Sequence, residues 1–229
     1  MVTCVPGGRA RSVLAAGPAR RFADVTSTDY VPALLERARE RARADGLDIR
    51  FQTADAEALP FDDNAFDLVT GFNAFQFASD PVKALREAGR VTRPGGMVVV
   101  TTWGNPAGMD AASLIAAMKP MLPPAPPGAP GPFALSEETA LRAFAVAGGL
   151  TPVTVFDVDS PWFYRDEATA LRGFGAAGGA TLARERVGEA AFNAAISAAL
   201  APFRQPDGSF RLGARSRCLV TTTDRRETR

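Results

Sequence analysis

The sequence predicts an α/β protein built on a doubly wound, mostly parallel sheet, and three observations lead to this fold class. From Asp24 onward, short strand-like runs alternate with longer helical runs, the pattern of parallel strands joined by crossover helices. Residues 30–45 carry apolar side chains on one helical stripe, and the pattern stops at Gly46. The run 97–102 (MVVVTT) is apolar or β-branched throughout, as in a strand that is buried on both faces of a sheet.

The other elements follow from the same alternation. The strand-like runs, rich in β-branched and aromatic residues, cover 25–28, 49–54, 66–71, 97–102, 151–159 and 210–223. The helical runs cover 30–45, a segment opened by Asp80-Pro81, a segment capped by Ser136 and ending at Gly148-Gly149, then 166–177 and 181–200. In the last of these, Phe192, Ile196 and Leu200 share one face. The proline-rich stretch 120–132 predicts an extended, exposed loop.

Length and charge exclude several kinds of partner. With 229 residues and 24.1 kDa, the chain is long enough to bury a core without a disulfide or a metal. Its 26 Lys and Arg nearly balance its 25 Asp and Glu, so the net charge of +1 argues against a broad binding surface for nucleic acid or an anionic membrane. No apolar run approaches the roughly 20 residues of a membrane span. We expect a cytoplasmic protein that binds neither nucleic acid nor membrane.

The histidine and cysteine content restricts the chemistry. The chain has no histidine, which excludes Ser-His-Asp and Cys-His nucleophile systems, His-ligated zinc and histidine general bases. Cys4 and Cys218 form no metal-spaced pair and are typical of a reduced, intracellular chain. We expect no metal site, and any catalysis has to proceed without imidazole.

Two aspartates stand where predicted strands end, the position at which doubly wound sheets bind ligands. Asp29 closes the second strand and precedes Tyr30; its carboxylate suits the two hydroxyls of a ribose or, equally, the start of the next helix. Asp55-Ala56 closes the third strand within the segment ADAEALPF. The Asp55 carboxylate can accept a hydrogen bond from the exocyclic amine of adenine, while the backbone N–H of Ala56 lies beside the ring nitrogen. Residues 59–61 would supply the apolar wall that a purine needs. The alternative is a polar turn whose apolar residues fold back onto the core.

The segment GFNAFQF (71–77) follows the fourth predicted strand and places two amides among aromatic side chains. The pattern favours Asn73 as a ligand-orienting residue and Gln76 as a solvent-facing one. The three phenylalanines either line the mouth of the crevice or belong to the core: Phe72, Phe75 and Phe77.

Together these segments resemble the class I S-adenosylmethionine-dependent methyltransferases. The matching stretches are VTSTDYVPALLERARERA, DIRFQTADAEALPFDDNAFDLV and EAGRVTRPGGMVVVTTW. The nearest subgroup is methyltransferase type 11, which is related to the ubiquinone and menaquinone C-methyltransferases. The resemblance is strong over residues 19–103 and looser up to residue 223, because these enzymes often carry extra helices before a final antiparallel strand.

The resemblance implies a Rossmann-like fold with S-adenosylmethionine as cofactor. By resemblance, Asp29 holds the ribose, Tyr30 packs beside the adenosine, and Asp55 with Ala56 reads the adenine. Asn73 lies near the methionine moiety and the reacting methyl group.

The resemblance also implies a single domain over 1–223, in which 160–203 form a helical cap over the crevice; 224–229 are a frayed tail. We expect a small, largely apolar organic acceptor. Four aromatic residues either line its pocket or simply bury the cap on the sheet: Trp103, Trp162, Phe163 and Tyr164.

The opening residues depart from the family pattern. Family members carry an acidic residue and a G-x-G-x-G turn after the first strand, whereas residues 1–18 read MVTCVPGGRARSVLAAGP. Met1 to Val5 supply about 17 Å of strand, and Gly7-Gly8 form a permissive turn. Three explanations stay open: a divergent but working loop, a degraded cofactor site, and a truncation or frame error upstream of Ala19.

Two other functions compete with methyl transfer. A nicotinamide-dependent reductase needs a G-x-G-x-x-G turn, which the sequence lacks, and neither Tyr30 nor Tyr164 is followed by lysine four positions later. The other is a non-catalytic, methyltransferase-like binding protein with a degraded cofactor site, which the irregular glycine segment favours.

Overall fold

The strands of the chain form one large and one small sheet. The computed structural model describes residues 2–5, 24–124, 131–176 and 178–224. The strands are β1 (Val2–Val5), β2 (Thr26–Asp29), β3 (Arg50–Thr53), β4 (Phe66–Phe72), β5 (Thr92–Trp103), β6 (Thr151–Asp159), β7 (Trp162–Tyr164), β8 (Phe210–Leu212) and β9 (Arg215–Thr222). The large sheet has the order β3-β2-β1-β4-β5-β9-β6, and β7 pairs with β8.

The helices follow the strands in the predicted alternation. They are α1 (Pro32–Ala44), α2 (Pro81–Val91), α3 (Ala111–Met118), α4 (Glu138–Ala147), α5 (Glu167–Gly175), α6 (Gly178–Val187) and α7 (Glu189–Leu200). Asp80 caps α2 as predicted, since its carboxylate accepts a hydrogen bond from the N–H of Lys83 at 2.9 Å. Among the helices in the described part of the chain, none is both long and apolar enough to cross a bilayer.

The strands that carry the predicted site residues point in one direction. β2 pairs in parallel with β3, and β4 pairs in parallel with β5. β9 runs antiparallel to β5, because the hydroxyl of Thr221 donates to the carbonyl of Val98 while the N–H of Thr223 donates to the carbonyl of Gly96. This arrangement agrees with the predicted α/β class and its antiparallel last strand.

β1 lies inside the large sheet, between β2 and β4, and it runs antiparallel to both neighbours. Val2 lies opposite Thr28 of β2 and Gly71 of β4, whereas Val5 lies opposite Leu68. The end of β1 is therefore at the edge of the sheet where β4 begins. Antiparallel pairing is at least as stable per residue as parallel pairing, so a four-residue strand gains its ladder in either direction. The predicted Gly7-Gly8 turn lies outside the described residues.

The chain divides into two compact units, and the larger sheet lies mostly in the first. The first unit comprises the described residues within 1–103, 134–157 and 217–229. Its core joins one face of α2 and α4 to β5. The contributing side chains include Leu85, Val98, Val100, Leu141 and Phe144.

The second unit comprises the described residues within 104–133 and 158–216, and it holds α3, α5, α6, α7 and the small sheet. Phe192, Ile196 and Leu200 of α7 are fully buried, so the predicted apolar face is confirmed. The ring of Phe192 stacks on that of Phe174 with centroids 6.4 Å apart. The helices predicted within 160–203 all lie in this unit.

Two long predicted elements are each divided by a glycine-containing break. The single helix over 181–200 is wrong: α6 ends at Val187, and Gly188 with φ +83° separates it from α7. The single last strand over 210–223 is also wrong, since β8 and β9 flank a turn at Gly213. The N–H of Gly213 donates to Oδ2 of Asp110 at 2.8 Å instead of continuing a strand ladder.

The N-cap of α4 was predicted at Ser136, one residue before its position in the structure. The N-cap residue is Glu137, whose side chain makes no capping hydrogen bond, and Ser136 is buried before it. The carbonyl of Ser136 accepts a hydrogen bond from the guanidinium of Arg217. The helix does end at Gly148 and Gly149, as predicted. The middle of the proline-rich stretch (125–130) and the tail residues 225–229 lie outside the described residues.

Candidate functional site

Asp29 is held at the end of β2 by hydrogen bonds to the backbone. Its Oδ1 accepts from the N–H of Val31 at 2.9 Å, and its carbonyl accepts from the N–H of Ala54 at 3.1 Å. Val31, and not Asp29, is the N-cap residue of α1. Asp29 therefore stabilises the turn that leads into α1 and keeps a half-buried carboxylate at the tip of the strand.

Asp55 has an equivalent position two residues after the end of β3. Its Oδ1 accepts from the N–H of Glu57 at 2.9 Å, and its carbonyl accepts from the N–H of Ala58 at 3.1 Å. The Asp55 side chain is exposed, and Ala56 behind it is half-buried against the core. The polar turn that the sequence allows is thus formed, and it presents one carboxylate to solvent.

The two aspartates lie at the same edge of the sheet. β2 and β3 are parallel, with Asp29 opposite Thr53, and the bond from Ala54 to Asp29 is the last one between them. Asp55 is the residue after Ala54, so the structure brings the two carboxylates to neighbouring strand tips. Tyr30 stands beside them with its side chain 74% exposed.

The predicted apolar wall after Asp55 is mostly core. Leu59 is 4% exposed, and Phe61 meets Phe66 edge to face with ring centroids 5.0 Å apart. Pro60 remains exposed between them. The interpretation in which these residues fold back on the core is therefore correct for Leu59 and for one face of Phe61.

Asn73 and Gln76 form a polar pair after β4. Asn73 has φ +45°, and Oδ1 of its side chain accepts a hydrogen bond from Nε2 of Gln76 at 2.9 Å. The same Nε2 reaches the hydroxyl of Thr102 at 3.4 Å. Oε1 of Gln76 is buried without a hydrogen-bond partner among the described residues. Gln76 was expected to face solvent, and this expectation is wrong: its Nε2 is bonded to Asn73 and its Oε1 is buried.

The three phenylalanines around this pair divide into one core residue and two surface residues. Phe75 is fully buried, whereas Phe72 and Phe77 are 38% and 63% exposed. Two aromatic side chains therefore flank Asn73 at the edge of the sheet.

Comparisons with known proteins identify the segment that carries these residues. Residues 4–100 match the family described as "Methyltransferase domain" (Methyltransf_11). Within this chain, 84 residues are 48% identical to a demethylmenaquinone methyltransferase of Thermus thermophilus, covering 37% of this chain and 38% of that protein. A ubiquinone/menaquinone biosynthesis C-methyltransferase of Bdellovibrio bacteriovorus is 45% identical over 81 residues, 35% of this chain and 34% of its own.

Residues 4–100, less than half of the chain, thus match a methyltransferase domain. The resemblance drawn from the sequence is thereby confirmed, and with it the expectation that S-adenosylmethionine is the cofactor of this kind of domain. The chain spans about a third of the length of these curated relatives.

Solved structures share the fold of most of this chain. The crystal structure of YcgJ from Bacillus subtilis has a TM-score of 0.56 at 20% identity, covering 92% of this chain and 86% of that one. A putative methyltransferase from Bacillus halodurans has a TM-score of 0.53 at 14% identity, covering 87% and 82%. Both likenesses support the fold class predicted from the sequence.

The described residues at this edge of the sheet suit the adenosine part of S-adenosylmethionine. Asp29 and Asp55 supply acceptors at adjacent strand tips, which suits a ribose and an adenine amine. The G-x-G-x-G turn that the family places after its first strand has no counterpart at this edge among the described residues, because β1 ends at the other edge. The residues present therefore fit the adenosine part of the cofactor.

The aromatic residues predicted to line an acceptor pocket pack largely within the second unit. Trp162 lies 6.3 Å from Phe174, measured between ring centroids. Tyr164 packs on Gly173, and burial raises the pKa of its phenol. Phe163 is 66% exposed beneath the guanidinium of Arg211. Trp162 and Tyr164 thus serve the packing of this unit.

Two cavities occur away from the aspartates. One of about 220 Å³ lies in the second unit, between the segment after β5 and the start of β9, with Asp159 and Arg215 paired at 3.3 Å in its wall. The other, of about 190 Å³, lies where β5 begins in the methyltransferase domain, beside Arg90 and Thr223. Neither of these two is lined by Asp29 or Asp55.

Proposed function

We propose that this chain transfers the methyl group of S-adenosylmethionine to a small, largely apolar organic acceptor. The observation that carries the proposal is the placement of Asp29 and Asp55 at neighbouring strand tips of a methyltransferase domain. The cofactor, when bound, supplies an electrophilic methyl group on a sulfonium. The protein contributes binding and alignment, so a chain without histidine is suited to the task.

Each predicted site residue has a role in this proposal. The Asp29 carboxylate accepts hydrogen bonds from the ribose hydroxyls, and the exposed ring of Tyr30 packs beside the adenosine. The Asp55 carboxylate accepts from the adenine amine, and the backbone N–H of Ala56 meets the ring. Asn73 orients the methionine end through an amide that Gln76 fixes at 2.9 Å.

Two features support an apolar acceptor. Phe72 and Phe77 present exposed aromatic surface on both sides of Asn73 in the sequence. Two relatives carry names of quinone C-methyltransferases. Quinone-like and phenolic compounds are therefore the first acceptors to test.

Calorimetric titration with S-adenosylhomocysteine tests the cofactor half of the proposal. Asp29→Asn and Asp55→Asn should each weaken binding by about tenfold or more, because each removes a charged acceptor from a hydrogen bond. Asp48→Asn is the matched control, an exposed carboxylate in the same unit that should leave binding unchanged. Equal binding by all three variants would contradict the assignment of the site.

The acceptor half is tested by transfer of a labelled methyl group to a panel of quinone-like, phenolic, peptide and RNA acceptors. Label on the small apolar compounds supports the proposal, and label only on peptide or RNA refutes the acceptor class. The reversed direction of β1 favours a second candidate, a non-catalytic binding protein. Binding of neither S-adenosylmethionine nor S-adenosylhomocysteine is the result expected for that candidate.

A further inference from the structure

The adenine-reading residues sit on a long connection that has little regular structure of its own. Residues 54–65 join β3 to β4 and contain turns and one isolated bridge between Asp55 and Ala58. We call this segment the adenine loop. A connection of this length needs anchors from elsewhere to hold a carboxylate at a fixed position.

Arg90 of α2 is the main anchor of the adenine loop. Its Nη1 donates to the carbonyl of Phe61 and to Oδ1 of Asp63, both at 2.8 Å. Its Nη2 donates to the carbonyl of Leu59 at 2.9 Å. One guanidinium thus holds three residues of the loop, and the carbonyl of Arg90 accepts from the N–H of Asn64 at 3.0 Å.

Glu87 holds Arg90 and the loop at the same time. Its Oε1 accepts from Nε of Arg90 at 2.8 Å, and its Oε2 accepts from Nη2 of Arg90 at 2.9 Å. The same Oε2 accepts from the N–H of Leu59 at 2.9 Å. The hydrogen bonds from Arg90 hold the pKa of the Glu87 carboxyl below its ordinary value, and Glu87 raises the pKa of the guanidinium.

The helix beneath this pair is rigid. Ala84, Leu85, Ala88 and Val91 are fully buried, so α2 is fixed on the core. The start of the same helix also binds the loop, because Oε1 of Glu57 accepts from the N–H of Asp80 at 2.9 Å. The contacts of α2 with every second residue from 57 to 63 therefore fix the loop on the helix, and with it Asp55 and Ala56.

We propose that Arg90 and Glu87 are positioning residues that set how well the protein distinguishes adenine from other purines. Neither residue touches the base in this arrangement; both act through the adenine loop. The proposal rests on the proposed function, since it assumes that Asp55 and Ala56 read the adenine.

The test compares two ligands, S-adenosylhomocysteine and S-inosylhomocysteine, in which an oxo group replaces the 6-amino group. The wild-type chain should bind the adenosine compound at least about tenfold more tightly, because the inosine compound leaves the Asp55 carboxylate without its donor. Arg90→Lys and Glu87→Gln should lower this ratio toward one, mainly by weakening the adenosine compound. Arg86→Lys is the matched control, because Arg86 lies on the same helix and its guanidinium donates to the carbonyl of Ala147 at 3.2 Å, outside the adenine loop.

The ratio of the two dissociation constants distinguishes a positioning role of Arg90 and Glu87 from a purely structural one. If Arg90→Lys lowers the melting temperature but keeps the wild-type ratio of the two dissociation constants, the proposal is wrong. Asp63→Asn provides a milder variant that removes the charge from one exposed partner of Arg90, and it should lower the ratio in the same direction by a smaller factor. A wild-type chain that binds neither compound overturns the proposed function and this proposal together, whereas unchanged ratios in binding-competent variants overturn this proposal alone.

Discussion

Gly71 and Phe75 are in contact so close that only glycine fits at position 71. A Cβ atom there would lie 2.1 Å from Cε2 of the Phe75 ring, and Phe75 is fully buried. Gly71 is also paired on both sides, with Val100 of β5 and Val2 of β1. The ring of Phe75 therefore belongs to the core, and it can occupy its position only because residue 71 has no Cβ atom.

Gly71→Ala should destabilise the fold by about 1 to 3 kcal/mol, because the new methyl group has to displace a packed aromatic ring. Chemical denaturation followed by circular dichroism measures the change. Gly131→Ala is the control, since a Cβ atom at position 131 has open space around it. If Gly71→Ala is as stable as the control variant, the Phe75 side chain can adopt another conformation without loss of packing.

Glu87 should give the protein a share of stability that disappears in acid. Its pKa is lowered in the folded state, chiefly by hydrogen bonds from Arg90, so the ionised form is favoured on folding. The contribution of Glu87 to the free energy of unfolding is complete at pH values above the ordinary pKa of glutamate. It is lost as the pH falls through that pKa and then through the lower pKa of the folded state. Glu87→Gln should therefore flatten the acid limb of a plot of unfolding free energy against pH. Glu40→Gln, at an exposed position of α1, should leave that limb unchanged.

Cys218 should behave as a protected thiol. It is 2% exposed in β9, and burial raises its pKa, although the Thr101 hydroxyl lies 3.6 Å from the sulfur. In a Cys4→Ser background, a thiol reagent at mildly alkaline pH should react slowly with the folded protein and rapidly after denaturation. Because the folded state favours the protonated thiol, its contribution to stability is lost as the pH rises above the ordinary thiol range. Fast labelling of the folded chain would show that β9 opens readily.

The reversed β1 leads to a prediction about the methionine part of the cofactor. Val5 lies opposite Leu68, so the strand ends far from the edge that carries Asp29. We expect 5′-methylthioadenosine, which lacks the amino-acid part, to bind within about tenfold of S-adenosylhomocysteine, because the contacts proposed for the described residues are made mostly to the adenosine. Competition titrations measure the ratio. A preference of more than about a hundredfold for S-adenosylhomocysteine would show that the amino-acid part has strong contacts of its own.

Local signals in the sequence were sufficient for most elements and for the positions of the two aspartates. Asp80-Pro81 combines a capping side chain with a proline at the first helical position, and the structure has both. The strand ends at Asp29 and near Asp55 follow from where β-branched runs stop. Such signals depend on a few neighbouring residues, and they act before any tertiary contact is made.

Features that depend on distant partners were not accessible in this way. The direction of β1 is decided by two ladders to residues far along the chain, and a four-residue run carries no information about direction. The amide of Gln76 is turned away from solvent by its hydrogen bonds to Asn73 and Thr102, whereas its sequence neighbours are equally typical of a surface turn. Gly188 interrupts a pattern that is otherwise helical on both sides, so only its φ of +83° reveals the break.

The place of β9 has a consequence for synthesis on the ribosome. This strand lies between β5 and β6, although it follows both in the chain. Until residues 215–222 leave the exit tunnel, the backbone donors and acceptors along one side of β5 have no strand to pair with, and β6 has no hydrogen-bonded neighbour in the large sheet. The nascent chain is therefore exposed to intermolecular strand pairing from the emergence of β5 until that of β9.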